Sequence, residues 1–128
     1  MKVYTIGYGG RKFEEFIKVL KEHRIETVVD VRAFPSSKYE PFNKESLQIL
    51  LPKEGIKYIH LEKLGGYRKP SYEEYMKTEE FKSGIRQLLE EAGKKKVVIM
   101  CLERSPKACH RRFISKALED YRVEIIHL

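Results

Sequence analysis

The sequence predicts an α/β fold: a single doubly wound, mostly parallel five-stranded sheet with helices on both faces. Three observations carry this expectation. Short β-branched and aromatic runs alternate with amphipathic stripes along the whole chain. One run, "KKVVIMCLE", is nearly all apolar, as a strand buried on both faces must be. Glycine, proline and capping residues mark each junction, and no linker, repeat or low-complexity stretch interrupts residues 1–128, so one domain is expected.

The elements follow in order. "KVYTIGYGG" is a strand feeding a glycine turn, after which Phe13, Phe16, Ile17 and Leu20 form a helical stripe. "IETVVDVR" is the second strand. Asn43 caps a short helix carrying Leu47, Leu50 and Leu51, with Pro52 as its stop. "GIKYIHLEKL" is the third strand, running into Gly65 and Gly66. Ser71 and Glu74 have capping-box spacing, and Thr78 caps a helix with Phe81, Ile85, Leu88 and Leu89 inward and Gly93 as its stop. After the apolar fourth strand, Ser105 and Pro106 read as N-cap and first turn of a last helix, and "VEIIHL" closes as the fifth strand. Right-handed crossovers make the sheet parallel, with the first strand expected near the centre between the second and fourth.

Composition narrows the function classes. Charged residues make up 35% and hydrophobic ones 41%, a globular balance. No apolar run reaches membrane-span length and the start carries no signal-like segment, so a cytoplasmic protein that does not enter membranes is expected. Lysine and arginine (26) exceed the acids (19), giving +7 and favouring anionic partners, a small molecule or nucleic acid. Seventeen glutamates and seventeen lysines against two glutamines and one asparagine resemble heat-adapted usage. The two cysteines are expected as free thiols.

Ligands of open α/β sheets sit beyond the carboxyl ends of the strands, and the reactive residues gather there. The first strand ends in Tyr8, Gly9 and Gly10, the second in Asp30 and Arg32, the third in Gly65 and Gly66, the fourth in Cys101 and Glu103. Asp30 follows a buried run, so its carboxylate needs a cationic partner, which Arg32 can supply; a purely structural pair is the competing reading. On the last helix, His110 falls on the apolar stripe of Phe113, Ile114, Ala117, Leu118 and Tyr121, with Cys109 and Arg111 at its margins. The helix start offers free N–H groups beside Arg111, an anion-binding geometry in which Cys109 is either an activated thiol or an apolar filler.

Other site classes fit less well. Zinc prefers closer pairs than Cys101 and Cys109 with His110, and a phosphatase-type loop needs an arginine where Lys107 stands. "GYGGRK" begins like a dinucleotide fingerprint but has Lys12 at the third glycine. In "GGYRKPSYEEY", Tyr67, Tyr72 and Tyr75 beside Arg68 and Lys69 suit base stacking or, equally, a packed turn.

The segments "TIGYGG", "VVDVRAFPSS" followed by "FN", "GIKYIHLEKLGG", "CLERSPKACHRR" and "IIHL", in that order, resemble the domain-of-unknown-function-488 family. The last helix's approach is the sharpest match, to C-x-E-x-x-P-x-x-C-H-R. Leu102, Lys38 and Glu62 depart from the usual residues. The resemblance implies a compact α/β domain and supplies no reaction, and a fold does not license one. The expected function is a small enzyme, hydrolytic or group-transferring, with a phosphate-binding crevice for a nucleotide or nucleic acid. Arg32, Arg111, Tyr8, Gly9, Gly65 and Gly66 would bind substrate. Glu103 or His110 would be acid or base, Asp30 their partner, and Cys101 or Cys109 a nucleophile. The alternatives are a non-catalytic nucleic-acid-binding module, or a metal or thiol-redox site at Cys101, Cys109 and His110. No metal set and no cofactor is assigned.

Overall fold

The computed structural model describes residues 1–35, 41–66, 68–104 and 110–128. Its elements are β1 (Lys2–Gly7), α1 (Phe13–Glu22), β2 (Thr27–Asp30), α2 (Lys44–Lys53), β3 (Lys57–His60), a 3-10 turn (Glu62–Leu64), α3 (Tyr72–Tyr75), α4 (Glu79–Lys94), β4 (Val97–Cys101), α5 (Arg111–Glu119) and β5 (Glu124–His127). All five strands are parallel, in the order β3-β2-β4-β1-β5.

This order corrects the expected one: β4, not β1, is central, and it separates β1 from β2. All five residues of β4 are buried, as are all four of β2, so burial marks both as interior strands and leaves their order to the pairing.

Side-chain alternation splits the core in two. Val3, Val29, Val31, Val97 and Ile99 face Phe81, Ile85 and Leu88 of α4 and Ile114 and Leu118 of α5. Tyr4, Ile6, Val28, Val98 and Met100 face Phe16, Ile17 and Leu20 of α1 and Leu47 and Leu51 of α2. Successive residues of one strand point to opposite faces, so neighbouring valines build both layers.

The caps work as their spacing requires. Ser46 N donates to Asn43 Oδ1 at 2.9 Å, Glu74 N to Ser71 Oγ at 3.1 Å, and Phe81 N to Thr78 Oγ1 at 3.2 Å. Two stops move. Helix α2 runs through Pro52 to Lys53 and ends where Gly55 takes φ +77°, with Ile56 N donating to the Leu51 carbonyl. Helix α4 runs past Gly93 to Lys94. Helix α5 starts at Arg111 with His110 as its N-cap; Ser105 and Pro106 lie outside the described residues. Among the described residues, no helix is long and apolar enough to cross a membrane.

Candidate anion site at the carboxyl edge of the sheet

The chain leaves β1 toward α1 on one face and leaves β4 toward α5 on the other, so the two adjacent strands diverge at their carboxyl ends. That divergence is a topological switch point. Backbone pairing continues past both strands, with Tyr8 N donating to the Cys101 carbonyl at 3.0 Å and Gly9 N to the Leu102 carbonyl at 2.8 Å. The contact is too close for side chains: a Cβ at Gly7 would lie 1.8 Å from the Glu103 carbonyl oxygen. Gly10 then turns at φ +72°.

Two arginines converge on this turn. Arg104 crosses it, since a Cβ at Gly10 would lie 3.9 Å from both its Cδ and its Nη1. Arg11 donates from Nε to the Gly7 carbonyl at 2.9 Å and from Nη2 to the Leu128 carbonyl at 3.4 Å. Burial, then the nearby Arg104 charge, pull the Arg11 pKa down, and Glu15 only partly opposes them. Among the described residues neither Arg11 nor Arg104 forms an ion pair with a carboxylate. Neither stands out in the sequence as a site residue. A run of basic residues signals charge, but not which of them a glycine turn will gather.

The expected residues are placed as follows. Asp30 is fully buried on the α1/α2 face and accepts four hydrogen bonds. Arg32 N and Nε donate to Oδ1 at 3.0 and 2.9 Å, and Arg32 Nη2 and Tyr58 OH to Oδ2 at 2.7 and 2.5 Å. Arg32 Nη1 reaches the Tyr8 hydroxyl at 3.2 Å, and the Tyr8 ring stacks on Phe42 with centroids 4.5 Å apart. Burial opposes the Arg32 charge, but bonding to Asp30 outweighs it and the pKa rises. Burial and Asp30 push the Tyr58 hydroxyl far above its usual range. This is a closed pair fixing the end of β2, with Arg32 turned inward.

His110 lies on the opposite face of the sheet. Its Nε2 donates to the Val31 carbonyl at 2.7 Å, and the Leu64 carbonyl is a second hydrogen-bond partner. The ring packs 5.4 Å from Tyr72, and a Cβ at Gly66 would sit 3.2 Å from its Nδ1. Burial lowers its pKa despite both carbonyls. A Cβ at Gly65 would lie 2.7 Å from Ala33 Cα, so Gly65 packs against the chain beyond β2 and Gly66 against His110.

Arg111 is also buried. It donates from Nη1 to Thr5 Oγ1 at 3.2 Å and from Nη2 to the Glu103 and Arg104 carbonyls at 2.5 and 3.4 Å. Burial pushes its pKa down to about 10, against the Glu103 carboxylate and with the Arg11 charge. Ile114 and Leu118 of α5 are buried and Phe113 and Ala117 pack against the same core, as expected, but Arg111 and Ser115 are buried as well and Tyr121 is exposed. That corrects the expected stripe: carbonyls at the end of β4 draw the long arginine inward. Glu103 is exposed beside these groups.

Cys101 is disulfide-bonded, which corrects the free-thiol expectation. Cys109 and Tyr67 lie outside the described residues. Among the described residues, no cluster of histidine, cysteine and carboxylate could hold a metal. Tyr72 and Tyr75 are buried, donating to the Leu64 and Lys63 carbonyls at 2.8 and 2.5 Å, and Arg68 lies over the Tyr75 ring at 4.1 Å. That segment is a packed turn. A groove of about 310 Å³ between α4 and α5, floored by Met76, Phe81 and Phe113, lies among helix residues and includes none of the sheet-edge residues.

The molecule is therefore a parallel α/β protein with basic groups massed at its switch point. Residues 12–118 match the family described as Domain of unknown function DUF488, and the chain belongs to that family. No curated protein and no solved structure matches it.

Proposed function

We propose that the protein binds a phosphate-bearing ligand, a nucleotide or a nucleic-acid segment, at the carboxyl edge of β1 and β4. Arg11 and Arg104 are its charged contacts. One observation carries this reading: both guanidinium groups gather at the Gly9–Gly10 turn without a carboxylate ion pair among the described residues. Massing like charge costs free energy, which a phosphate offsets while accepting paired hydrogen bonds from guanidinium forks. The buried pairs Asp30–Arg32 and Arg111–Thr5 stiffen the two sides of the crevice.

Titration calorimetry with a nucleoside monophosphate tests the reading. Arg104→Gln and Arg11→Gln should each weaken binding about tenfold or more, the worth of a charge-assisted hydrogen bond. Wild-type affinity in both variants would overturn it.

A second reading, hydrolysis or group transfer, is favoured by the exposed carboxylate of Glu103 beside the same turn. Glu103 would then be the general base, with Asp30 and His110 positioning the loops. In that case Glu103→Gln abolishes turnover of a phosphoester and leaves its affinity within a few fold. Unchanged turnover would remove this reading.

A further inference from the structure

Strand β5 pairs with β1 so that His127 stands opposite Thr5. His127 is exposed, while Thr5 is fully buried. Thr5 Oγ1 meets His127 Nδ1 at 2.5 Å and accepts from Arg111 Nη1 at 3.2 Å. The same guanidinium holds the Glu103 and Arg104 carbonyls through Nη2. One buried hydroxyl thus joins an exposed histidine to the arginine that grips the backbone of Arg104. A second path runs alongside. Arg11 Nη2 donates to the Leu128 carbonyl at 3.4 Å, and Leu128 N donates to the Thr5 carbonyl at 2.8 Å.

The protons of this chain have one arrangement when the ring is neutral. Arg111 only donates, so the Thr5 hydroxyl gives its single proton to His127 Nδ1. Protonating the ring makes Nδ1 a donor too, and the Thr5 oxygen then faces two donors. Its own proton has no third partner among the described residues.

Charge acts in the same direction. Arg111 of α5 bears on His127, and Arg11, from the turn after β1, bears on Arg111, with Arg104 behind it. Glu103, beyond β4, opposes them through Arg111. Glu124, at the other end of β5, alternates to the opposite face. Burial and the Arg111 charge lower the His127 pKa. An anion held by Arg104 and Arg11 offsets part of that positive charge, so protonating the ring costs less once the anion is bound. Linkage makes the effect mutual.

Resting on the phosphate-binding reading, we infer that His127 makes this site proton-linked: the protonated ring and the bound phosphate each strengthen the other.

The experiment measures affinity for a nucleoside monophosphate by calorimetry in the wild-type protein and His127→Gln, at about pH 8 and about pH 5.5, either side of the usual histidine range. The ligand's own ionisation is common to both proteins, so the ratio of wild-type to variant affinity isolates the ring. That ratio should rise about threefold toward acid. A ratio that stays level or falls would overturn the inference. Glutamine offers an amide oxygen to the Thr5 hydroxyl at an exposed position, so the fold is kept, which circular dichroism checks. Proton NMR of the His127 ring needs no variant: its titration midpoint should move up in saturating monophosphate, and a midpoint unmoved or lowered would equally overturn the inference. Failure of the phosphate reading looks different: no binding at either pH, or binding indifferent to Arg104→Gln at both.

Discussion

Asp30 grips Arg32 through two parallel contacts, Nε to Oδ1 at 2.9 Å and Nη2 to Oδ2 at 2.7 Å, with neither side chain more than 7% exposed. It is the one ion pair among the described residues with both partners buried; the other six are at least partly in water. Such a pair contributes little beyond what well-packed apolar groups would, yet breaking it strands a charge. Asp30→Asn should therefore destabilise the protein by about 3–5 kcal/mol in urea denaturation. A loss below about 1 kcal/mol would mean that water reaches Arg32.

Arg111 gives a second buried-charge test. Lysine keeps the charge but cannot fork between Thr5 and the Glu103 carbonyl. Arg111→Lys should cost about 2–4 kcal/mol by the same measurement, through unsatisfied buried groups. A neutral substitution would contradict the bracing role assigned to it.

Two glycines should respond oppositely to alanine. At Gly7 the new methyl would meet the Glu103 carbonyl at 1.8 Å, backbone that side-chain rotation cannot clear, so a loss of at least about 3 kcal/mol is expected. At Gly93, inside α4, it would touch only Met1 Cε at 3.9 Å, so alanine's helix propensity should add up to about 1 kcal/mol. Thermal midpoints moving the same way in both would refute the packing at the β1–β4 junction.

Stability should fall in mild acid. Burial lowers the pKa of His110, and burial with the Arg111 charge lowers that of His127, whose Nδ1 meets Thr5 Oγ1 at 2.5 Å. Both then bind protons in the unfolded chain before the folded one. Their contribution is present above the unfolded value of about 6.5 and is lost as pH falls through the lower folded values. The urea midpoint should drop between about pH 7.5 and about pH 5.5, and drop less in His110→Gln. A midpoint level across that range would contradict the desolvation assigned to His110.

Much of this architecture is legible in the residues themselves. Asn43, Ser71 and Thr78 announce helix starts because their side chains satisfy nearby N–H groups, and "VVIMC" announces a strand covered on both faces. Strand order is not legible, because periodicity reports which face is buried and not which strand lies alongside. Asp30 and Arg32 could be paired from spacing alone, but the Tyr58 and Tyr8 hydroxyls that complete the cluster come from β3 and from the turn after β1. Arg111 turns inward for carbonyls that exist only once β4 and α5 are assembled. Arg11 and Arg104 sit 93 residues apart, and only the β1–β4 junction makes neighbours of them.

Amide chemical-shift mapping during titration with a nucleoside monophosphate tests the central claim most directly. The site predicts saturable shifts at Gly9, Gly10, Arg11, Leu102 and Arg104. Shifts confined to the α4–α5 groove around Phe113 and Tyr121, or none at millimolar ligand, would contradict it.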